Sequence, residues 1–228
     1  MKLAPKAIEK YGKLLLLVLI VFEVVIVLVY LAGILLTGKA YPAFDMNGQM
    51  TVSSYLQALQ LFLIGAIAII VLICGRQSSR PPSQVFSFTV AVLFTYASVD
   101  EIFKIHLQLH SLLNTPHHKD WMPIYLGIGV STLVVFHRDF IALWHFHRKA
   151  ISFVAVGMGI FILGGFGAEV LKILFNPLLT QTFGQGGTIT LLVENLRIAI
   201  EEFSELLGES LTLYGLCLFL GKRLEQQL

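Results

Sequence analysis

The chain has 228 residues, of which 56% are hydrophobic and 13% charged, and its mean hydropathy is +0.80. That is far more apolar than a soluble domain of this size, so the solvent the sequence is suited to is lipid. A net charge of +2, spread over loops and with no clustered basic face, argues against a nucleic-acid partner.

A transmembrane helix needs about 20 mostly apolar residues. Leu14 to Leu36 provides a first span (14–36) after the basic opening Lys2, Lys6, Lys10 and Lys13. The run is too long for a signal-peptide core and no small-x-small cleavage site follows, so an uncleaved span is expected. Tyr55 to Cys74 (55–74) is the second, after a polar loop with Pro42, Asp45, Asn47 and Gly48. Pro81-Pro82 then opens a third helix (83–113) that is apolar as far as Val99 and strongly polar beyond it. A short fourth span (121–137) has Pro123 in its first turn. Arg138 to Lys149 mixes aromatic and basic residues and reads equally as an interfacial segment or an ordinary basic loop. The fifth span (151–175) is expected to stop at Asn176-Pro177, and the sixth covers 188–220. No low-complexity run or long linker divides the chain. The expectation is one all-α polytopic bundle of six transmembrane helices.

Lys and Arg are retained on the cytoplasmic side of membranes. One set of loops and ends carries Lys2, Lys6, Lys10, Lys13, Arg76, Arg80, Arg138, Arg148, Lys149, Lys222 and Arg223, whereas the other carries only Lys39 and Lys119. Both termini are therefore expected on the cytoplasmic side of a plasma or thylakoid-type inner membrane. Cys74 and Cys217 then fall on the reducing side and read as packing residues.

Ionisable residues inside spans are costly and mark functional sites. Helix three carries Asp100, Glu101, Lys104, His106 and His110, helix five Glu169 and Lys172, and helix six Glu194, Arg197, Glu201, Glu202, Glu205 and Glu209. At ~1.5 Å of rise per residue, Asp100, Glu169 and Glu202 all lie ~27–30 Å from the inner boundary, in the outer part of the membrane. At 100° per residue, Glu194, Arg197, Glu201, Glu205, Glu209 and Thr212 share one stripe of helix six. Such a stripe must face the bundle interior or a wet cavity. Lys104, Glu169, Lys172, Glu194 and Arg197 are placed to act as charge partners. Eight carboxylates nevertheless meet three fixed cations, an excess of five negative charges. Protonated carboxyls, protonated histidines, water or a bound cation would relieve it. Glu23, alone in span one, reads as interhelical hydrogen-bonding glue, with a place on a proton path as the alternative.

The chemistry stays open between several classes. His106 and His110 are four apart, a spacing that can ligate a metal, and Glu201, Glu205 and Glu209 form an oxygen-rich ladder suited to a hard cation or to proton exchange. A metal reading would draw ligands from Asp100, Glu101, His106, His110, Glu201, Glu202, Glu205 and Glu209, with Asp100, Glu101, Glu201 and Glu205 as catalytic acids or bases. The divalent ion would be its cofactor. Glu101 and His106 are five apart, ~140° around an unbroken helix, and cannot readily share one ion. The di-metal Glu-x-x-His pattern is not met. Histidines on both sides rule out the desaturase boxes, and Gly184-Gln-Gly-Gly187 is a short turn rather than a phosphate loop. Val99–Ile105 aligns with Ile200–Leu206 at an offset of 101, as inverted three-span halves would, but the match elsewhere is poor and reads as coincidence.

Ser98-Val-Asp-Glu-Ile-Phe-Lys-Ile-His106 and Glu201-Glu-Phe-Ser-Glu-Leu-Leu-Gly208, with the following Leu-Thr-Leu-Tyr-Gly215, resemble a widespread group of uncharacterised bacterial multi-pass membrane proteins. Those proteins share an Asp-Glu helix ending in His and a Glu-Glu-x-x-Glu helix, and often carry Glu where this chain has Leu107. The resemblance implies a shared intramembrane site and no particular activity. Three functional classes follow: a divalent-cation or proton-exchange site with or without catalysis, a proton- or cation-coupled transporter or channel, and a structural or assembly subunit. Lipid is the expected partner, and a homo-oligomer or membrane complex is left open. Spans one, two and four are expected mainly to shield the acidic chamber.

Overall fold

The computed structural model describes residues 5–75, 81–112, 121–184 and 187–226; Lys2, Arg76, Arg80, Leu113, His117, His118 and Lys119 lie outside them, as does the middle of the 184–187 turn. The described residues form eight α-helices, a short 3-10 turn at Pro42–Phe44 and no strand. In chain order the helices are α1 (Pro5–Thr37), α2 (Val52–Gly75), α3 (Gln84–Phe103), α4 (Ile105–Leu112), α5 (Trp121–Val135), α6 (His137–Phe146), α7 (Arg148–Phe183) and α8 (Thr188–Glu225). Five of them, α1, α2, α3, α7 and α8, are long and apolar enough to cross a membrane. The pair α5 and α6 passes the same test only jointly, across a bend of 65°. Large apolar side chains such as Leu14, Leu17, Leu28, Ile73 and Leu163 point outward, as a lipid-facing surface requires.

The hub of the bundle is α8, against which α7, α1 and α2 pack, while α3 packs on α2. The α7–α8 contact is close because both helices place small residues on it. A Cβ on Gly157 would stand 2.5 Å from the Gly208 carbonyl oxygen, and one on Gly208 would stand 2.6 Å from that of Gly157. One heptad away on each helix, a Cβ on Gly215 would meet the Ala150 carbonyl oxygen at 2.7 Å. Without a hydrophobic driving force between helices in lipid, such backbone proximity is what holds them together.

Three boundaries differ from the sequence expectation. Helix three does not run unbroken from 83 to 113: Lys104 adopts a left-handed backbone (φ 48°, ψ 47°) that separates α3 from α4. The fifth helix does not stop at Asn176-Pro177 but continues to Phe183 with Pro177 inside it. Proline removes one backbone donor without forbidding the helix, and Thr180 Oγ1 donates to the Pro177 carbonyl at 3.0 Å. The segment 138–149 is mostly helical, as α6 up to Phe146 and the start of α7 from Arg148, and α6 is docked through Asp139, whose carboxylate accepts from Ser83 N (2.6 Å) and Ser83 Oγ (2.9 Å) at the N-cap of α3.

Contacts show how the fourth leg runs. Trp121, at the start of α5, lies 4.8 Å from His106 between ring centroids, whereas Phe136, just after its end, stacks edge-on to Phe86 at 5.4 Å. The 15 residues of α5 therefore run alongside α3, and if α5 and α6 together form one leg the described residues hold six candidate spans, otherwise five. Lys149 reaches Glu9 at 3.3 Å, and a Cβ on Gly12 would touch Cys217 at 3.3 Å, so the start of α1 and the end of α8 lie at the same end of the bundle. At that end burial, with Lys222 and Lys149 nearby, holds the His147 imidazole below its ordinary range.

Candidate functional site

The break at Lys104 reorganises the charged end of α3. Asp100, almost fully buried, accepts the His106 backbone N–H at Oδ1 (2.7 Å) and faces His106 Nδ1 at Oδ2 (2.8 Å). Its carboxylate thus caps the first turn of α4 and orients the imidazole, an arrangement that favours the Nδ1–H tautomer. Trp121 and Tyr125 flank the ring, and the Tyr125 and Tyr96 hydroxyls meet at 3.0 Å. Lys104 pairs with Glu101, not with Asp100 as four-residue spacing suggests. The reason is the left-handed turn, which takes Lys104 out of the helical register. The same turn leaves His106 committed to Asp100; His106 and His110 stay four apart within α4, and the His110 side chain lies outside the described residues.

Glu101 and Lys104 face the middle of α8. Lys104 is within electrostatic reach of Glu202 and Glu205, and Glu101 within reach of Glu202, Glu205 and Glu209. Glu205 sits between helices. Its Oε2 accepts from Gln57 Nε2 of α2 at 3.0 Å, and its Oε1 occupies the space that a side chain at Gly165 of α7 would fill, 2.3 Å from that position's Cβ. Glu209 is 3% exposed, and its Oε2 has no hydrogen-bond partner among the described residues.

Spans one and two are more than a shield. Glu23 of α1, Gln60 of α2 and Ser210 of α8 are all fully buried and hydrogen-bonded to one another. Tyr30 of α1 donates to Asn195 Oδ1 of α8 at 2.8 Å. Through Oε1 Glu23 ties three helices together, while its Oε2 has no partner among the described residues. Gln57, Gln60 and Ser210 escaped the sequence reading, although two glutamines three apart in an otherwise apolar span are a usable signal, because lipid cannot satisfy their amides.

The remaining charges form a paired ladder at the α7–α8 end. Arg197 bonds Glu194 at 3.0 and 3.1 Å and Glu201 at 2.5 Å, while Lys172 stands 3.5 Å from Glu194 and 3.8 Å from Glu169. Of the expected charge partners, Glu169, Lys172, Glu194 and Arg197 meet here with Glu201, three carboxylates on two cations, whereas Lys104 pairs with Glu101. A groove of about 560 Å³ opens beside them between the two helices, walled by apolar residues such as Leu163, Ala168 and Val193.

Among the described residues no group of three or more His, Cys, Asp or Glu is arranged to hold a metal ion. The donor chemistry explains why: Asp100 is occupied by His106, Glu101 by Lys104, Glu201 by Arg197, and the Lys104 ammonium projects among the remaining acids. Asp100, Glu101, His106, Glu201, Glu202, Glu205 and Glu209 are thus not brought together as a metal-binding group among the described residues.

Residues 13–220 match the model of a family described as a domain of unknown function (DUF8692), and the chain belongs to that family. No curated protein and no solved structure matches it.

Proposed function

We propose that this member of the family is an integral membrane protein that exchanges protons through the acidic file between α3, α2 and α8, in the service of proton-coupled transport. The observation that carries the reading is the composition of the file: Glu101, Glu202, Glu205 and Glu209 converge with Lys104 as the cation in reach. Four carboxylates beside one ammonium leave an uncompensated negative charge that a poorly solvated interior does not tolerate. With these acids not gathered as a metal-binding group among the described residues, protons are the compensation we favour, and groups that carry protons inside a membrane can pass them on. The Asp100–His106 couple stands at the mouth, where an imidazole is suited to load and unload the file. Loop charge supports a cytoplasmic side for both termini, with this mouth on the opposite side.

The test is proton flux in liposomes with a trapped pH-sensitive dye and an imposed gradient. Glu205→Gln keeps the hydrogen-bonding shape and removes the exchangeable proton. Flux is expected to fall on the order of 100-fold, the lower range for a positioned proton-transfer group. Unchanged flux in Glu205→Gln would end the proposal.

The paired ladder of Glu169, Lys172, Glu194, Arg197 and Glu201 favours a second reading for that end alone, a structural or assembly role. It is supported if a fixed membrane partner co-purifies with the wild type and is lost from Arg197→Gln.

A further inference from the structure

Below the acidic file the hydrogen-bond count does not close. Gln60 Nε2 donates to Glu23 Oε1 (3.0 Å) and to Ser210 Oγ (2.8 Å), and Ser210 Oγ donates to the same Glu23 oxygen (2.5 Å). Every donor converges on Oε1. Among the described residues Glu23 Oε2, Gln57 Oε1, Gln60 Oε1 and Glu209 Oε2 are buried without a partner. All four are acceptors, and all four side chains are at most 3% exposed. Water cannot be assumed to satisfy them near the middle of a span, where unpaired polar atoms are expensive. Turning an amide over exchanges its oxygen and nitrogen but adds no donor.

Protons on the two carboxyls close the count. A neutral carboxylic acid presents one O–H donor, so one proton on Glu23 and one on Glu209 convert two orphaned acceptors into donors. The two amide carbonyls of Gln57 and Gln60 need two donors. The same residues join the file to the midpoint of α1: Gln57 holds Glu205, Gln60 lies one turn further along α2 and holds Glu23, and Glu209 lies one turn from Glu205 on α8.

We propose that Glu23 and Glu209 are a second, deeper proton-exchange pair that continues the path from Glu205 into the half of the membrane holding both chain ends. This rests on the reading of the file as proton-exchanging. When Glu23 has released its proton toward that half, the proton on Glu209 moves to the Glu23 carboxylate. Glu209, now the carboxylate, is reloaded from Glu205. Gln60 and Ser210 are positioning residues that steady Oε1 and leave Oε2 to exchange. The ionisable groups facing the pair are Glu101 of α3 with Glu202 and Glu205 of α8; α2 presents only amides and hydroxyls, and the apolar run of α1 carries no other charge.

The experiment is pH-difference infrared spectroscopy of the purified full chain, with flux measured on the same preparations. The wild type is expected to show the carbonyl band of a buried carboxylic acid. Glu23→Gln should lose the Glu23 component of that band, leaving that of Glu209, and lose the flux while eluting as a monodisperse folded protein. Ser210→Ala, which keeps the carboxyl and removes one donor to it, should shift the band and slow the flux, and it serves if Glu23→Gln fails to fold. An unchanged band in Ser210→Ala overturns the deeper pair. So does wild-type flux in Glu23→Gln when Glu205→Gln has none, in which case the outer file still stands. If neither variant affects flux, the proton-exchange reading itself is lost.

Discussion

Lys104 shapes the site through its backbone as much as through its charge. A left-handed conformation at a non-glycine residue costs roughly 1–2 kcal/mol, and the Asp100 cap on α4 offsets a comparable amount, about 0.5–2 kcal/mol. Asp100 therefore has two jobs that substitution can separate. Asn is as good a cap as Asp, so Asp100→Asn should leave hydrogen exchange of the α4 amides close to wild type while abolishing proton loading at the mouth. Asp100→Ala should lose both and destabilise α4 by about 1 kcal/mol. If the two variants protect α4 equally, the cap contributes nothing and this assignment fails. The identity of Asp100, Glu101 and Lys104 as site residues was legible from charge in an apolar context. Their pairing was not, because spacing rules presume an unbroken helix and neither Gly nor Pro marks Lys104 as its end.

At the level of elements, the glycine seam decides where the acids of α8 sit. Gly157 and Gly208 bring the backbones together, and Gly165 leaves room for the Glu205 carboxylate. Gly208→Val would drive side-chain atoms into the Gly157 carbonyl and the Phe161 backbone, 2.6–2.8 Å from its Cβ. Overpacking of that kind costs about 1–3 kcal/mol, so a thermal melt in detergent should show a clearly lowered midpoint; an unchanged midpoint would mean the seam is not tight. The stripe on α8 was readable from the 3.6-residue period, since its charges can face only the interior. The partners it meets were harder to foresee. Gln57, Gln60 and Glu23 belong to spans whose hydrophobicity masks them, and Pro177 looked like a terminator because sequence alone shows its missing donor but not the helix that continues past it.

For the whole molecule, the legs and their ends follow from contacts across the bundle. Phe86 with Phe136, Lys149 with Glu9 and Gly12 with Cys217 gather the start of α1, the start of α3, the α6–α7 junction and the end of α8 at one end. Protease-cleavable tags at the two termini should thus be cut from the same face of sealed vesicles, and cleavage from opposite faces would refute a six-leg path. The short α5, 15 residues or ~22 Å at the helical rise, covers less than a typical hydrocarbon core, with the bent α6 completing the leg.

Hydropathy and charge alone determined that the chain is an all-helical bundle with apolar, membrane-length segments, and that its acids are concentrated on α3 and α8. Both are local properties: a helix in lipid satisfies its own backbone, and a charge is costly there whatever its neighbours. Tertiary structure decided which acid finds a cation, which finds an amide and which finds nothing. Those outcomes depend on side chains brought together from α1, α2 and α8, and on a backbone turn at Lys104 that no local pattern encodes.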